Sequence, residues 1–350
     1  MLSYGGRIGS NAGATGTSVL DPFGWLVFKN AVIRRQSGSN AGATGAFGWL
    51  ASENAVSIKV IQKAPEESLG STFLRVVSEK PMKTVWVTGA SSGLGLHTAM
   101  ALRDDGWQVI AGARSFTDGQ RDGMTCLQLD VTDGESVRDF CRKAEEISPP
   151  DALVQCAGML VLGSCEETSA EEFRRVMDTN YLGMVRMNRA VLPLLRARGG
   201  GKIVMFSSIN GLLGIPFQSA YTASKHAIEG YAECLALEGK PFGIQVMLVE
   251  PGDHRSGSDK YRPHAAAMTE ESPYAAEYRS ATERIHRDES CGSDPDRLGR
   301  KIARTLDRKR IPFRKRIASA DQHFAVYIHR FLGARINGAV LRKYYIRRNA

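Results

Sequence analysis

The chain lacks any uninterrupted apolar run approaching the ~18 residues that a membrane-spanning helix needs. Its first ten residues carry no continuous apolar core of the secretory kind, and the run Phe23-Gly24-Trp25-Leu26-Val27-Phe28 stops at Lys29. A cytoplasmic protein is the expectation. Cysteine is sparse: Cys126, Cys141, Cys156, Cys165, Cys234 and Cys291, with no Cys-x-x-Cys pair and no His/Cys cluster at zinc spacing. This argues against a disulfide scaffold and a metal centre, and predicts reduced, mostly buried thiols. Acidic residues are nearly missing from one end. Residues 300–350 hold fifteen Lys/Arg and two Asp/Glu, a net +13, which leaves −4 for the rest of a +9 chain. Such an end can meet phosphates or lipid headgroups, but is more often a solvated face; no nucleic-acid partner is expected.

What is present is ordinary for a globular protein, with 43% hydrophobic and 24% charged residues. Residues 1–81 stand apart. Ser10-Asn11-Ala12-Gly13-Ala14-Thr15-Gly16 recurs at Ser39-Asn40-Ala41-Gly42-Ala43-Thr44-Gly45, and Phe23-Gly24-Trp25-Leu26 at Phe47-Gly48-Trp49-Leu50. Two irregular copies are too few for a stacked solenoid. No helical or strand period is clear, so this extension is expected to be largely disordered. Met82-Lys83-Thr84, just before the first convincing strand, would make a natural initiator. From Thr84 the signals alternate. Strands are expected over 84–88, 108–111, 125–129, 152–155, 203–206 and 245–249. Helices are expected over 94–105, 136–147, 171–198 with a kink at Pro193, and 221–237. Alternation implies one domain, residues 82–350: an α/β, doubly wound parallel sheet with helices on both faces.

Thr88-Gly89-Ala90-Ser91-Ser92-Gly93-Leu94-Gly95 lies between the first strand and the first helix. A pyrophosphate needs backbone N–H groups aimed at it and no side chains in the way, and the helix N-terminus adds a favourable dipole. Gly89, Gly93 and Gly95, with Ser91, Ser92 and Leu94 between them, are therefore assigned to a dinucleotide. After the second strand no acid follows to bind a ribose 2′-hydroxyl; Arg114 stands there instead and can pair with a 2′-phosphate. That favours NADP(H) over NAD(H), with an ordinary surface arginine as the alternative.

Tyr221 and Lys225 are four apart on one helix face. An unperturbed tyrosine, at about 10, is a poor base at neutral pH; a nearby ammonium and the nicotinamide cation should lower it. Ser208, at a strand end, can donate a hydrogen bond to the same substrate oxygen.

Together, the Gly-rich turn, Ser208, Tyr221 and Lys225 resemble the short-chain dehydrogenase/reductase family. The resemblance runs from about Met82 to Val249 and implies a Rossmann-type fold and reversible hydride transfer between NADP(H) and a secondary alcohol/ketone pair. It implies that Asn180 is a fourth catalytic member, helping to hold a water beside Lys225; the alternative is an asparagine bonding backbone inside a helix. It implies that Asp130, beside Val131, bonds the adenine amino group, against a role in capping the loop. Ala157, Gly158, Pro251, Gly252 and Ser256 fall at further cofactor-binding positions. Departures exist: Gln155-Cys156 stand where the family has Asn-Asn, and His254 stands where an apolar residue lies beside the nicotinamide. Residues 253–290, with Tyr261, Tyr274 and Tyr278, match the family's substrate lid. Leu212 to Phe217 offer an apolar pocket wall, and the central sequence is similar to hydroxysteroid and retinoid dehydrogenases. The resemblance also implies a homo-oligomer paired through its long helices.

Residues 321–348 place Phe324, Ile328, Phe331 and Leu332 at helical spacing among basic residues, interrupted by Gly333 and Gly338. Two readings are open: a helix packed on the domain with its basic face in water, or a peripheral helix on an anionic membrane. Two rivals to the enzyme also stand: a non-catalytic dinucleotide-binding regulator, and a membrane-associated adaptor acting through the basic C-terminus.

Overall fold

A computed structural model describes residues 82–257 and 262–346, together with short strands within the first 81 residues. The chain divides into two units, Met1–Met82 and Lys83–Ala350. In the first, β1 (Val19–Leu20), β2 (Trp25–Phe28), β3 (Ala31–Arg35) and β4 (Trp49–Ala51) form an antiparallel sheet; β5 (Ile58–Ile61) pairs with β6 (Arg75–Ser78). Strands therefore occur where the sequence shows no clear period, on short β-branched and aromatic runs such as Ala31-Val32-Ile33. The expectation of disorder for the rest of this extension lies outside the described residues.

The second unit begins with β7 (Thr84–Thr88), α1 (Gly93–Asp104), β8 (Gln108–Ala113), β9 (Gly119–Arg121), β10 (Met124–Gln128), α2 (Gly134–Ile147) and β11 (Ala152–Gln155). It continues through α3 (Ala170–Met177), a π turn (Asp178–Leu182), α4 (Gly183–Ala197), β12 (Gly201–Phe206), α5 (Ser219–Gly239) and β13 (Ile244–Pro251). It ends in α6 (Ala275–Ser290), α7 (Pro295–Leu306), β14 (Arg314–Ile317) and α8 (Ala320–Tyr345). The sheet order is β14-β13-β12-β11-β7-β8-β10-β9, parallel throughout except for the edge strand β9. The chain steps outward from β7 through β8 to β10, then crosses to β11 on the other side. This reversal opens a crevice beyond the carboxyl ends of β7 and β11, where ligands of such sheets bind.

Every residue of β7 is buried, as both faces of a parallel sheet require. Val85 and Val87 pack with Leu102, Leu298 and Ile302 in one layer. Trp86 packs in the other with Phe140, edge to face at 5.9 Å. Each such buried side chain contributes roughly 1.5–3 kcal/mol. Helix starts follow the capping rules: the Asp133 side chain caps α2, Asp294 caps α7 before Pro295, and Ser169 with Glu172 forms a capping box on α3.

The expected helix over 171–198 is divided. Pro193 stays inside α4, and the ladder changes at the π turn instead. That turn carries Asn180 fully into the interior, where its amide bonds the backbone of Met159. The edge strand β14, Arg-Lys-Arg-Ile, has no apolar alternation and gave no signal. Its guanidiniums are held by carboxylates: Arg314 by Glu229, Glu233 and Glu250, and Arg316 by Glu250 at 2.8 Å. All six cysteines are free, but Cys165, Cys234 and Cys291 are exposed, against the expectation of mostly buried thiols. These three lie on loops or outward helix faces. Among the described residues, no helix is long and apolar enough to cross a membrane.

Candidate active site

The Gly-rich turn runs from the end of β7 into α1. Gly89 and Gly93 have φ of 68° and 54°, the left-handed region that glycine occupies without strain. A Cβ on Gly89 would stand 2.5 Å from the Ala157 nitrogen, and one on Gly95 would stand 3.0 Å from Cys156 Cβ. Neither position accepts a side chain. No side chain caps α1, so its first-turn N–H groups are open to an anion. Bare backbone, an uncapped helix start and glycines that no other residue replaces fit a dinucleotide pyrophosphate.

Beyond the turn lies a cleft of about 990 Å³. The structure brings nearly all the expected residues to it. Gly89, Ser91, Ser92, Gly93, Leu94 and Gly95 line it, and Arg114, Asp130 and Val131 stand on the same wall. Ala157, Gly158, Ser208, Tyr221, Lys225, Pro251, Gly252 and Ser256 complete the set. Gly93 faces Ser256, whose Cβ would lie 3.8 Å from an added Cβ, so the loop after β13 closes over the turn. Asp130 accepts from Thr132 N and Oγ1 at 2.9 and 2.7 Å, which is the loop-capping role. Arg114 is exposed and shares an adjoining cavity with Arg175. The next carboxylate along the chain, Asp118, is held by Lys143 at 2.7 Å and by the Gln128 N–H at 2.9 Å.

Asn180 does not line the cleft. Its Oδ1 accepts from Met159 N at 2.7 Å, and its Nδ2 donates to Met159 O at 2.8 Å and Ser224 Oγ at 2.9 Å. It ties the segment after β11 to α5 just before Lys225. The backbone-bonding alternative is thus present in the structure.

Ser208 acts on the Tyr221 phenol from the same cleft, and Asn210 holds the Ser208 hydroxyl through bonds at 3.2 and 3.3 Å. Lys225 is buried; its Nζ donates to the Phe206 carbonyl at 2.7 Å and lies 5.3 Å from the Tyr221 ring centre. The expected lowering of the tyrosine does not hold in the protein alone. Burial pushes the phenol up to about 12, against the smaller opposing effects of Ser208 and Arg262. Burial likewise brings Lys225 down to about 8, against Cys156 and Glu229. Desolvation outweighs the lysine because Nζ is committed to Phe206 rather than to the phenol.

The departures from the family pattern resolve locally. Gln155 donates to Asn188 Oδ1 at 2.8 Å, and burial pushes the Cys156 thiol well above its usual range. His254 is buried, with Nδ1 2.9 Å from Gly252 O, and burial holds its pKa below the usual value, so the ring beside the cleft is neutral at pH 7. Residues that the sequence did not flag meet on the cleft wall. Arg262 pairs with Glu289 at 2.7 Å, near Asp288 and Asp253. Burial first, then Glu289 and Asp288, pushes Asp253 up to about 7. Tyr345 arrives from the far end of α8. No local motif marks these residues; only the tertiary fold brings residues 253, 262, 289 and 345 together. Of the tyrosines expected in the lid, Tyr278 packs on Phe217 at 5.3 Å, Tyr274 bonds Glu166, and Tyr261 lies outside the described residues.

The family model described as short chain dehydrogenase matches residues 83–266. The 3-ketodihydrosphingosine reductase of Bacteroides thetaiotaomicron is 38% identical over 239 residues, covering 68% of this chain and 88% of that protein. Retinol dehydrogenase 8 of Homo sapiens is 40% identical over 185 residues, covering 49% and 58% respectively. Among solved structures, a short-chain dehydrogenase from Streptomyces avermitilis superposes with a TM-score of 0.62 at 33% identity, covering 75% of this chain and 97% of its own. With the doubly wound sheet, the glycine cradle and the Ser208–Tyr221–Lys225 group on one cleft, the chain belongs to the short-chain dehydrogenase family of NAD(P)-dependent oxidoreductases.

Proposed function

We propose that the protein reduces an apolar ketone to a secondary alcohol with NADPH, Tyr221 being the proton donor. The observation that carries this is that Ser208, Tyr221 and Lys225 line one cleft with the glycine cradle. The bound nicotinamide supplies the hydride. Tyr221 Oη, held protonated by burial, gives its proton to the carbonyl oxygen as negative charge develops there. Ser208 Oγ steadies the same oxygen by turning its one proton from Asn210 Oδ1 to the substrate, while the Asn210 N–H still donates to Oγ. Lys225 beneath the tyrosine favours the phenolate left behind, and Asn180 anchors the α5 turn that presents both.

The NADP(H) preference is supported by Arg114 and by the engagement of Asp118 elsewhere. The apolar substrate is supported by Leu160, Ile209, Ile215 and Ile285 on the cleft wall. It also accords with relatives named for 3-ketodihydrosphingosine and for retinol. The test is NADPH oxidation, followed by absorbance, with a long-chain 3-keto base, a steroid ketone, a long-chain methyl ketone and a short water-soluble ketone. Turnover is expected with one of the first three. Turnover confined to the short ketone, or none at all, refutes the reading.

A further inference from the structure

The last helix has two very different faces. Its inner side buries Val326, Asn337 and Tyr345. Val326 and Tyr345 join Leu213, Ile215 and Ile285, so this side is continuous with the wall of the substrate cleft. Its outer side leaves Phe324, Tyr327, Phe331, Leu332, Ile336 and Val340 between 47% and 64% exposed. With Tyr344, seven of the twelve large hydrophobic residues exposed among the described residues lie on this helix. Exposed apolar groups scattered singly need no explanation, but such a concentration does. Gly333 takes a non-helical conformation and breaks α8 in two. Phe324, Tyr327 and Phe331 then share one face of the first half, and Ile336 and Val340 one face of the second.

The charge that the helix itself carries is nearly all of one sign. From 320 to 350 there are six Lys/Arg (Arg330, Arg335, Arg342, Lys343, Arg347 and Arg348) and a single acid, Asp321, at the start. Arg330 lies along the ring of Phe331 at 5.8 Å. A second copy of this helix would bring like charges together, whereas an anionic lipid surface offers opposite charge and an apolar interior at once.

We propose that α8 docks the protein on an anionic lipid bilayer. Phe324, Phe331, Ile336 and their neighbours enter the headgroup layer, while Arg330, Arg335, Arg342 and Lys343 meet the lipid phosphates. Because Tyr345 ends this helix on the cleft wall, docking brings the site close to the lipid from which an apolar substrate would come. The benefit to turnover rests on the substrate reading above. Binding to lipid does not, so the two can fail separately.

The test is co-sedimentation of the full chain with phosphatidylcholine vesicles, with and without phosphatidylglycerol. Three proteins are compared: the natural chain, Phe331→Ser/Ile336→Ser and Arg330→Gln/Arg335→Gln. NADPH binding serves as the check on folding. The natural chain is expected to bind the anionic vesicles, to bind pure phosphatidylcholine far more weakly, and to be released by salt. The arginine pair should lose about thirty-fold in affinity for the anionic vesicles, and the apolar pair at least tenfold, both with NADPH binding intact. Equal binding to both vesicles, no binding, or binding unchanged in both variants overturns the proposal. So does light scattering that shows a dimer dissolved by Phe331→Ser/Ile336→Ser, which would mean that a second copy covers the face.

Discussion

Replacing Lys225 by methionine should change how stability depends on pH, in a direction that the burial of Lys225 sets. Lys225 is 4% exposed, and burial moves its pKa from the ordinary 10.5 to about 8. The folded form therefore binds fewer protons than the unfolded form between those values, and stability rises with pH across that window. Below about pH 8 the whole cost of the buried ammonium is present. The shift of about 2.5 units corresponds to ~3 kcal/mol. Between pH 7 and 9.5 the natural protein should gain ~2 kcal/mol relative to Lys225→Met. The substitution also leaves the Phe206 carbonyl without its 2.7 Å donor, a pH-independent cost of roughly 1–3 kcal/mol. The two stability curves should thus be offset and should differ in slope, and the slope is the test. Urea unfolding of both proteins without cofactor, followed by far-ultraviolet circular dichroism at several pH values, measures it. Parallel curves from pH 7 to 9.5 would show that Lys225 does not titrate in this window and would refute the burial argument.

Arg114→Ala should weaken NADPH binding by about tenfold or more while leaving NADH nearly unchanged, the loss expected of one guanidinium–phosphate contact. Fluorescence titration with both reduced cofactors checks it, and equal losses, or none, would contradict the NADP reading. A chain shortened to begin at Met82 should melt within a few degrees of the full chain and turn over at the same rate, because every residue assigned to the cleft lies beyond it. A melting temperature far below that of the full chain would show that the unit Met1–Met82 supports the catalytic one.

The parts of this molecule that were legible in the sequence are those specified by short-range patterns. The β7–turn–α1 unit was readable because glycine spacing, a β-branched strand and a helix start coincide within a dozen residues. Tyr221 and Lys225 were readable because four residues on a helix share a face, and both do line one cleft with Ser208. The π turn was not readable: inserting one residue into a helix leaves no mark on the hydrophobic period, and Pro193 was a more visible interruption. Nor was β14, whose arginines are tolerated in a sheet only because Glu229, Glu233 and Glu250 converge on them from α5 and β13. The upward direction of the tyrosine shift in the protein alone was not readable for a related reason. Spacing shows that Lys225 is near Tyr221, but not that its ammonium turns to Phe206 O while burial acts on the phenol. The part of the cleft wall that Arg262, Glu289 and Tyr345 share is a product of tertiary folding alone.

The central claim is that Tyr221 passes the proton. Tyr221→Phe removes one hydroxyl from a group that otherwise keeps its packing, so NADPH binding should stay within about twofold of the natural protein. Measured by the loss of reduced-nicotinamide absorbance on the best ketone found, kcat should fall by ~10² or more, the scale of lost acid–base catalysis. A kcat close to that of the natural protein, with NADPH binding intact, would contradict the account.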